Sequence, residues 1–362
     1  MEEPKLSYGS SILVPSVQEL AKQALASPPP RYIKPHQDPP IISYSSLIPP
    51  IPVIDMQKLL YGEDMDSELE TLHSASKEWG FFQLVNHDVN TILVEKVKHE
   101  IQEFFQLPLE EKKAYWQKEG EVEGFGQAFV VSNEQKLDWG DMFFMLTLPI
   151  YARKPHLLPQ LPLPFRDTMD TYSLESKNLA MKILEIMEKA LKMEVNEMTN
   201  LFEDGMQSMR MNYYPPCPQP ELVIGLTPHS DTAALTILLQ VNEVEGLQIR
   251  KEGMWIPIKP LPNAFIVNIG DMLEIITNGI YRSIEHQATV NSEKERLSIA
   301  TFYSPRHNVE MGPAQSLVTP QTPALFRRIG VEEYSKGLFS RVLDGKSYLD
   351  VMRTENGKNN SN

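Results

Sequence analysis

The spacing of apolar positions divides the chain into regions of different texture. Between residue 51 and about residue 203, short apolar runs alternate with helical stripes. Residues 51–54 and 81–85 read as short buried strands. Leu69, Leu72 and Trp79 mark one face of a helix that Gly80 stops, and Val94, Val97, Ile101, Phe104 and Phe105 recur at helical spacing up to Pro108. Leu179, Ile183, Met187, Ala190 and Leu191 form the stripe of a longer helix. Such stripes are first of all core-facing surfaces. From Gln207 to about Ser304 the pattern shortens into β-rich runs at 223–226, 235–241, 247–250, 255–258, 265–269 and 297–303. Lys251-Glu252-Gly253 suits a hairpin loop with glycine in the left-handed position. Many short strands separated by turn signals predict a sandwich, a barrel or a jelly roll, which a helix at residues 331–339 would close.

The ends differ from this body. Eleven of the 29 prolines fall in the first 52 residues, and each removes a backbone donor and restricts the residue before it. A short helix over residues 16–26 is expected, with Ser16 as its cap and Pro28 ending it. The rest of the segment reads as an extended arm lying over the body, and the polar stretch 355–362 as a frayed end. The expected organisation is a proline-rich arm (1–50), a mixed helix and strand region (51–203), a β-rich core (204–306) and a C-terminal helical segment with its tail (307–362).

Composition narrows the function classes. The 362 residues are 41% hydrophobic, enough for a sizeable core, and carry a formal charge of −14. That balance offers no basic footprint for nucleic acid or anionic lipid. The single cysteine, Cys217, cannot form an internal disulfide and fits a reducing compartment, with packing as its simplest role. The start Met1-Glu2-Glu3-Pro4 lacks the basic-then-apolar pattern of a secretory signal, and no run of 18 apolar residues exists. A soluble, cytoplasmic protein is expected, and nothing in the chain demands more than a monomer.

The candidate chemistry begins at His229-Ser230-Asp231. On a strand, positions two apart share a face, so both outer side chains could reach one metal. His36-Gln37-Asp38 has the same spacing but lies in the proline-rich arm and reads as a chance match. His286 follows after several expected strands, which in a jelly roll can return beside the first. Two imidazoles and one carboxylate would then hold a metal on one side, the arrangement of non-haem Fe(II) oxygenases; the alternative is a pair of hydrogen-bonded structural histidines. Arg296-Leu297-Ser298 adds a guanidinium and a hydroxyl on one strand face. Together they can clamp the carboxylate of a dicarboxylic cosubstrate, unless Arg296 is an ordinary solvent-facing strand residue. In the stretch 212–220, Asn212 and Tyr214 are suitable donors to the same cosubstrate, and the prolines fix a rigid turn before the candidate metal ligands.

At this point the sequence resembles the plant 2-oxoglutarate- and Fe(II)-dependent dioxygenases over nearly its whole length. The matching pieces stand in order: Ile51-Pro52-Val53-Ile54-Asp55, Trp79-Gly80-Phe81-Phe82-Gln83, Glu123-Gly124-Phe125-Gly126-Gln127, residues 212–220, His229-Ser230-Asp231, Asn268-Ile269-Gly270-Asp271, His286 and Arg296-Leu297-Ser298. Within that family it is most similar to senescence-related-gene-type and codeine/thebaine O-demethylase-like enzymes. The resemblance implies a mixed α and β fold with a distorted double-stranded β-helix (jelly-roll) core flanked by helices. It implies iron on His229, Asp231 and His286, and 2-oxoglutarate at Asn212, Tyr214, Arg296 and Ser298, with ascorbate as a supporting reductant. Relatives line the substrate pocket at positions matching Phe129, Met142, Phe144, Arg210, Thr232 and Phe302, where core packing is the competing role. One departure is Asn86-His87-Asp88, where the family usually has Asn-His-Gly; aspartate enters the left-handed region more readily than most residues, and His87 reads as structural.

The implied activity is O2- and 2-oxoglutarate-dependent oxidation of a hydrophobic plant specialised metabolite through a ferryl intermediate. O-demethylation or hydroxylation of an alkaloid- or flavonoid-like substrate comes first. The competing readings are an iron-dependent oxidase or desaturase of the same fold that does not consume 2-oxoglutarate, and a non-catalytic ligand-binding module.

Overall fold

The computed structural model describes residues 11–23, 25–34, 50–62, 64–119, 121–158, 162–339 and 345–355. His36-Gln37-Asp38 and the last residues of the polar tail lie outside them. Ser16 caps α1 (Val17–Ala21), its hydroxyl accepting from the Glu19 amide. The helix ends well before the expected residue 26, since a helix this short is marginal in water without a long packed face. Its start is anchored by the buried carboxylate of Asp141, which accepts from the Ser16 hydroxyl and from the Val17 and Gln18 amides at 2.7, 2.8 and 2.9 Å.

Strand β1 (Val53–Asp55) leads through an Asp55 cap into α2 (Met56–Tyr61). Next, α3 (Met65–Ser74) widens into a π turn over Ala75–Trp79. Gly80 ends it at φ +61°, where a Cβ would stand 2.1 Å from the Arg282 carbonyl oxygen. Then follow β2 (Phe81–Val85), α4 (Thr91–Gln106) capped by Asn90, and α5 (Leu109–Lys112) directly after Pro108. Strands β3 (Gly124–Gly126) and β4 (Asp141–Leu148) precede the 28-residue α6 (Leu163–Ala190). Between β2 and α4, Asn86 and Asp88 both take positive φ, 50° and 62°. His87 accepts from the Val89 amide, approaches the Asn263 carbonyl and packs on Phe265, a structural set of contacts.

The β-rich region contains β5 (Met206–Tyr214), β6 (Leu226–His229), β7 (Leu235–Gln240), β8 (Leu247–Lys251), β9 (Met254–Pro257) and β10 (Phe265–Ile269). After α7 (Asp271–Ile276) come β11 (His286–Ala288) and β12 (Arg296–Ser304). The chain continues with β13 (Glu310–Met311), β14 (Ile329–Gly330), α8 (Val331–Phe339) and α9 (Ser347–Val351). The hairpin between β8 and β9 places both Glu252 and Gly253 at positive φ. The strand expected over 223–226 begins only at Leu226, because Pro220–Leu222 forms a 3-10 turn and Val223 is still its exit.

An eight-stranded sheet in the order β1-β2-β10-β7-β12-β5-β4-β3 lies with a four-stranded sheet, β6-β11-β8-β9, in a jelly-roll core. Apolar residues of both sheets meet between them: Phe81, Leu238, Ile266 and Ala300 from the large sheet with Leu247, Ile249 and Ile256 from the small one. The other face of the large sheet is covered by the stripes of α3, α4 and α6. Registry decides which side chains face which layer. Arg296 stands opposite Tyr214, Ser298 opposite both Asn212 and Gln240, and Met142 opposite Asn212. Across β4, β5, β7, β10 and β12, even-numbered residues therefore turn inward and odd-numbered ones, such as Phe143, Met211, Ile237, Val267 and Ile299, enter the helix-covered core. A one-residue slip in any of these pairs would turn a strand's polar set into that core. Cys217 is buried beside Trp139 and Val223, a packing residue.

Candidate metal centre

His229 ends β6 and His286 begins β11, and the two are direct cross-strand partners in the small sheet. Their rings lie 4.3 Å apart. Each Nδ1 faces the carbonyl oxygen two residues back, His229 that of Thr227 at 2.8 Å and His286 that of Ile284 at 3.1 Å. A carbonyl only accepts, so each Nδ1 carries a proton and each Nε2 is the nitrogen turned toward Asp231. Asp231 does not share a strand with His229, as the spacing alone suggested; it sits past the strand end, in the turn toward β7. The large sheet holds it there: its Oδ2 accepts from Thr236 and Asn268, both at 2.7 Å. Oδ1 is left facing both histidines, 3.6 Å from each Nε2. All three ligand atoms lie within 4.8 Å of one another and all three residues are buried.

The electrostatics suit a cation. Burial alone would push the Asp231 carboxyl up, but the His286 and His229 rings and the Asn268 amide outweigh it and hold the group well below the usual carboxylate range. Burial pushes His286 down to about 4 despite the neighbouring Asp231, so its imidazole is neutral, the form that donates to a metal.

Next to this triad a cavity of about 50 Å³ is walled by inward residues of the large sheet, among them Asn212, Tyr214, Arg296 and Ser298. The Asn212 amide donates to the Ser298 hydroxyl at 3.4 Å, and the Arg296 guanidinium lies 5.4 Å from the Tyr214 ring centre. Arg296 is 2% exposed, and among the described residues no carboxylate pairs with it. Among the described residues, its Nε and the Asn212 Oδ1 are buried without a hydrogen-bond partner. A guanidinium stays charged, and a buried unpaired charge costs several kcal/mol, on the order of 3–5 when its partner is removed. The cavity therefore fits an anion that reaches the guanidinium at one end and the triad at the other, as a 2-oxo dicarboxylate does.

A second, larger cavity of about 150 Å³ opens from His229 and Asp231. Phe129, Met142, Phe144, Arg210, Thr232 and Phe302 all line it, so the structure brings the six positions together. Arg210 also borders the smaller cavity, and its buried Nε has no partner among the described residues. Phe129 stands at φ +62°, an uncommon conformation for a bulky residue. Sequence reasoning missed part of the lining, including Met206, Met272 and His307, and Val331, Ser335 and Leu338 of α8. The helix itself was legible, but not the face it turns to the cavity. Thr236 and Gln240, which hold Asp231 and Arg296, carried no signal beyond strand patterning.

One wall has a pH-dependent fastening. The buried Glu123 accepts from the Leu146 amide at 2.9 Å, next to cavity residues Val122 and Leu146, with Lys154 3.8 Å away and Glu121 near. Burial raises its carboxyl from the usual 4.5 to about 7, against the pull of Lys154. A folded-state value above the unfolded one means that the native chain binds this proton more tightly. Its stabilisation is full below pH 4.5 and is lost as pH rises through 7, a difference of roughly 3 kcal/mol at most. Glu123→Gln is expected to flatten the change in melting temperature between pH 5 and pH 8; an unaltered slope in thermal melts contradicts it.

Two imidazoles and a carboxylate at one side of an open cavity are the donor set of a non-haem iron oxygenase. Residues 205–305 match the 2OG-Fe(II) oxygenase superfamily, and residues 51–161 match the family described as non-haem dioxygenase in morphine synthesis N-terminal. The chain is 58% identical to oxoglutarate-dependent flavonoid 7-O-demethylase 1 of Ocimum basilicum, covering 98% of this chain and 95% of that one. It is 57% identical to codeine O-demethylase of Papaver somniferum and 58% to protein SRG1 of Arabidopsis thaliana, covering 98% of this chain and all of each relative. The crystal structure of JOX2 in complex with 2OG, Fe and JA superposes with a TM-score of 0.84 at 36% identity, covering 94% of this chain and 98% of that one. The chain belongs to the 2-oxoglutarate- and Fe(II)-dependent oxygenase superfamily and is an enzyme of that class. That family works with Fe(II), 2-oxoglutarate, O2 and a small-molecule substrate, and no helix among the described residues is long and apolar enough to cross a membrane.

Proposed function

We propose that this enzyme oxidises a hydrophobic plant specialised metabolite of alkaloid or flavonoid type, by O-demethylation first and hydroxylation second. The observation that carries the reading is the apolar, aromatic cavity that opens on His229 and Asp231. The names of the relatives, a flavonoid and a codeine O-demethylase, support the choice of reaction. In this reading His229, Asp231 and His286 hold Fe(II), which when bound supplies O2 activation coupled to decarboxylation of 2-oxoglutarate to succinate and CO2. Arg296 and Ser298 bind the distal carboxylate of 2-oxoglutarate, with Asn212 and Tyr214 completing its cradle. Phe129, Met142, Phe144, Thr232 and Phe302 exclude water and orient the substrate, while Arg210 borders both ligands.

Ascorbate is the proposed supporting reductant, and the enzyme is proposed to act as a cytoplasmic monomer. The core at 204–306 is taken as the catalytic part, with 1–50 as arm, 51–203 as N-terminal region and 307–362 as C-terminal cover. Mass spectrometry of a panel of methoxylated metabolites, incubated with Fe(II), 2-oxoglutarate, O2 and ascorbate, tests the reading. The expected result is loss of one CH2 unit, with one formaldehyde and one succinate formed per product. Gain of a single oxygen would make the enzyme a hydroxylase, and product without succinate would refute dependence on 2-oxoglutarate.

A further inference from the structure

The Arg296 guanidinium is aimed by a structure outside the cavity proper. Arg296 is the first residue of β12, beyond the Ser298–Gln240 pair that ends the pairing of β12 with β7. A long side chain at a strand end needs bracing to hold a fixed direction. The connection from β7 to β8 supplies it. Gln240 Oε1 accepts from Arg296 Nη2 at 2.9 Å, and Gln240 Nε2 donates to the Val244 carbonyl at 2.6 Å. The guanidinium only donates and the carbonyl only accepts, so both contacts demand the same orientation of the amide. Asn242 ties the connection to β12 twice, accepting from the Leu297 amide at 3.1 Å and donating to the Glu295 carbonyl at 2.8 Å. At the far side, a Cβ on Gly246 would stand 2.8 Å from Arg296 Cδ, so the absence of a side chain there leaves the arginine its channel.

We infer that Gln240 is a positioning residue for 2-oxoglutarate, aiming the Arg296 guanidinium at the distal carboxylate through its Val244-anchored amide. The inference rests on the proposed role of Arg296 and adds the reason for an amide at this position. A neutral acceptor fixes the guanidinium and leaves its charge uncompensated for the ligand. A carboxylate in the same place would direct it equally well and cancel that charge.

The test is calorimetric titration of the Fe(II)-loaded enzyme, without O2, with 2-oxoglutarate and with 2-oxobutanoate, which has the same 2-oxo acid end but no distal carboxylate. Gln240→Leu is expected to weaken 2-oxoglutarate binding about tenfold, the loss of one charge-assisted hydrogen bond, and to leave 2-oxobutanoate within twofold. Gln240→Glu, which keeps the volume, is expected to weaken 2-oxoglutarate at least as much. In an Arg296→Leu background, Gln240→Leu is expected to add less than a further twofold. Equal weakening of both 2-oxo acids, or full additivity with Arg296→Leu, would assign Gln240 a purely structural role and overturn the inference. If Arg296→Leu itself leaves 2-oxoglutarate binding intact, the proposed clamp fails, and the inference with it.

Discussion

Replacing His229 or Asp231 with alanine is expected to remove bound Fe(II) and to lower turnover by at least about 1,000-fold, on the order of 4 kcal/mol in the barrier. Removing an outer partner of a metal ligand typically costs about 10–100-fold, so loss of a proposed ligand must exceed that. Asn268→Ala, which deprives Asp231 Oδ2 of one of its two donors, sets the intermediate step in the same series. Iron content per chain after desalting is the readout that does not depend on activity. Stoichiometric iron in both His229→Ala and Asp231→Ala would show that the cluster is not the metal site. Partial retention in Asn268→Ala, with none in the other two, is the graded result that the geometry predicts.

The second large effect is at Arg296. Arg296→Leu is expected to raise the apparent KM for 2-oxoglutarate by about 100-fold or more, roughly 3 kcal/mol, with much less change in substrate KM. The side chain is buried and has no counter-ion among the described residues. In this reading the folded enzyme carries an uncompensated charge that the ligand satisfies. The variant therefore has a second signature: without the buried charge, the ligand-free protein should be no less stable than the parent, and 2-oxoglutarate should stabilise it far less. An unchanged KM for 2-oxoglutarate would refute the clamp, whatever the melting temperature does.

Much of this was legible in the chain because the signals are local. Gly80 ends its helix for a steric reason visible at one residue, and Phe81–Val85, Phe265–Ile269 and Val331–Phe339 took the spans that their apolar patterns predict. Elsewhere the local signal misled. His229 and Asp231 do not share a strand face, and the strand expected at 223–226 starts only at its last residue. At α1 the local signal was right at the Ser16 cap, where Asp141, distant in sequence, also holds the start, and wrong at the C-terminal end, which stops at Ala21. Strand β5 resists reading because Ser208, Arg210 and Asn212 interrupt its apolar pattern on the inward face, where the first two stand half-buried at the cavity and the third is buried beside Ser298.

By itself, the sequence determined the residue types of the chemistry, the order of the motifs, the β-rich core between helical parts, and the superfamily. Those properties reside in short stretches whose chemistry does not depend on where the chain goes next. Only the tertiary structure decided that the histidines come from the small sheet while the large sheet pins the carboxylate between them. It alone decided which even-numbered residues of five strands share one face, and that Gln240 and Gly246 flank Arg296. The physical reason is registry: a side chain's direction alternates with every residue, so its neighbours are set by pairing between strands far apart in sequence.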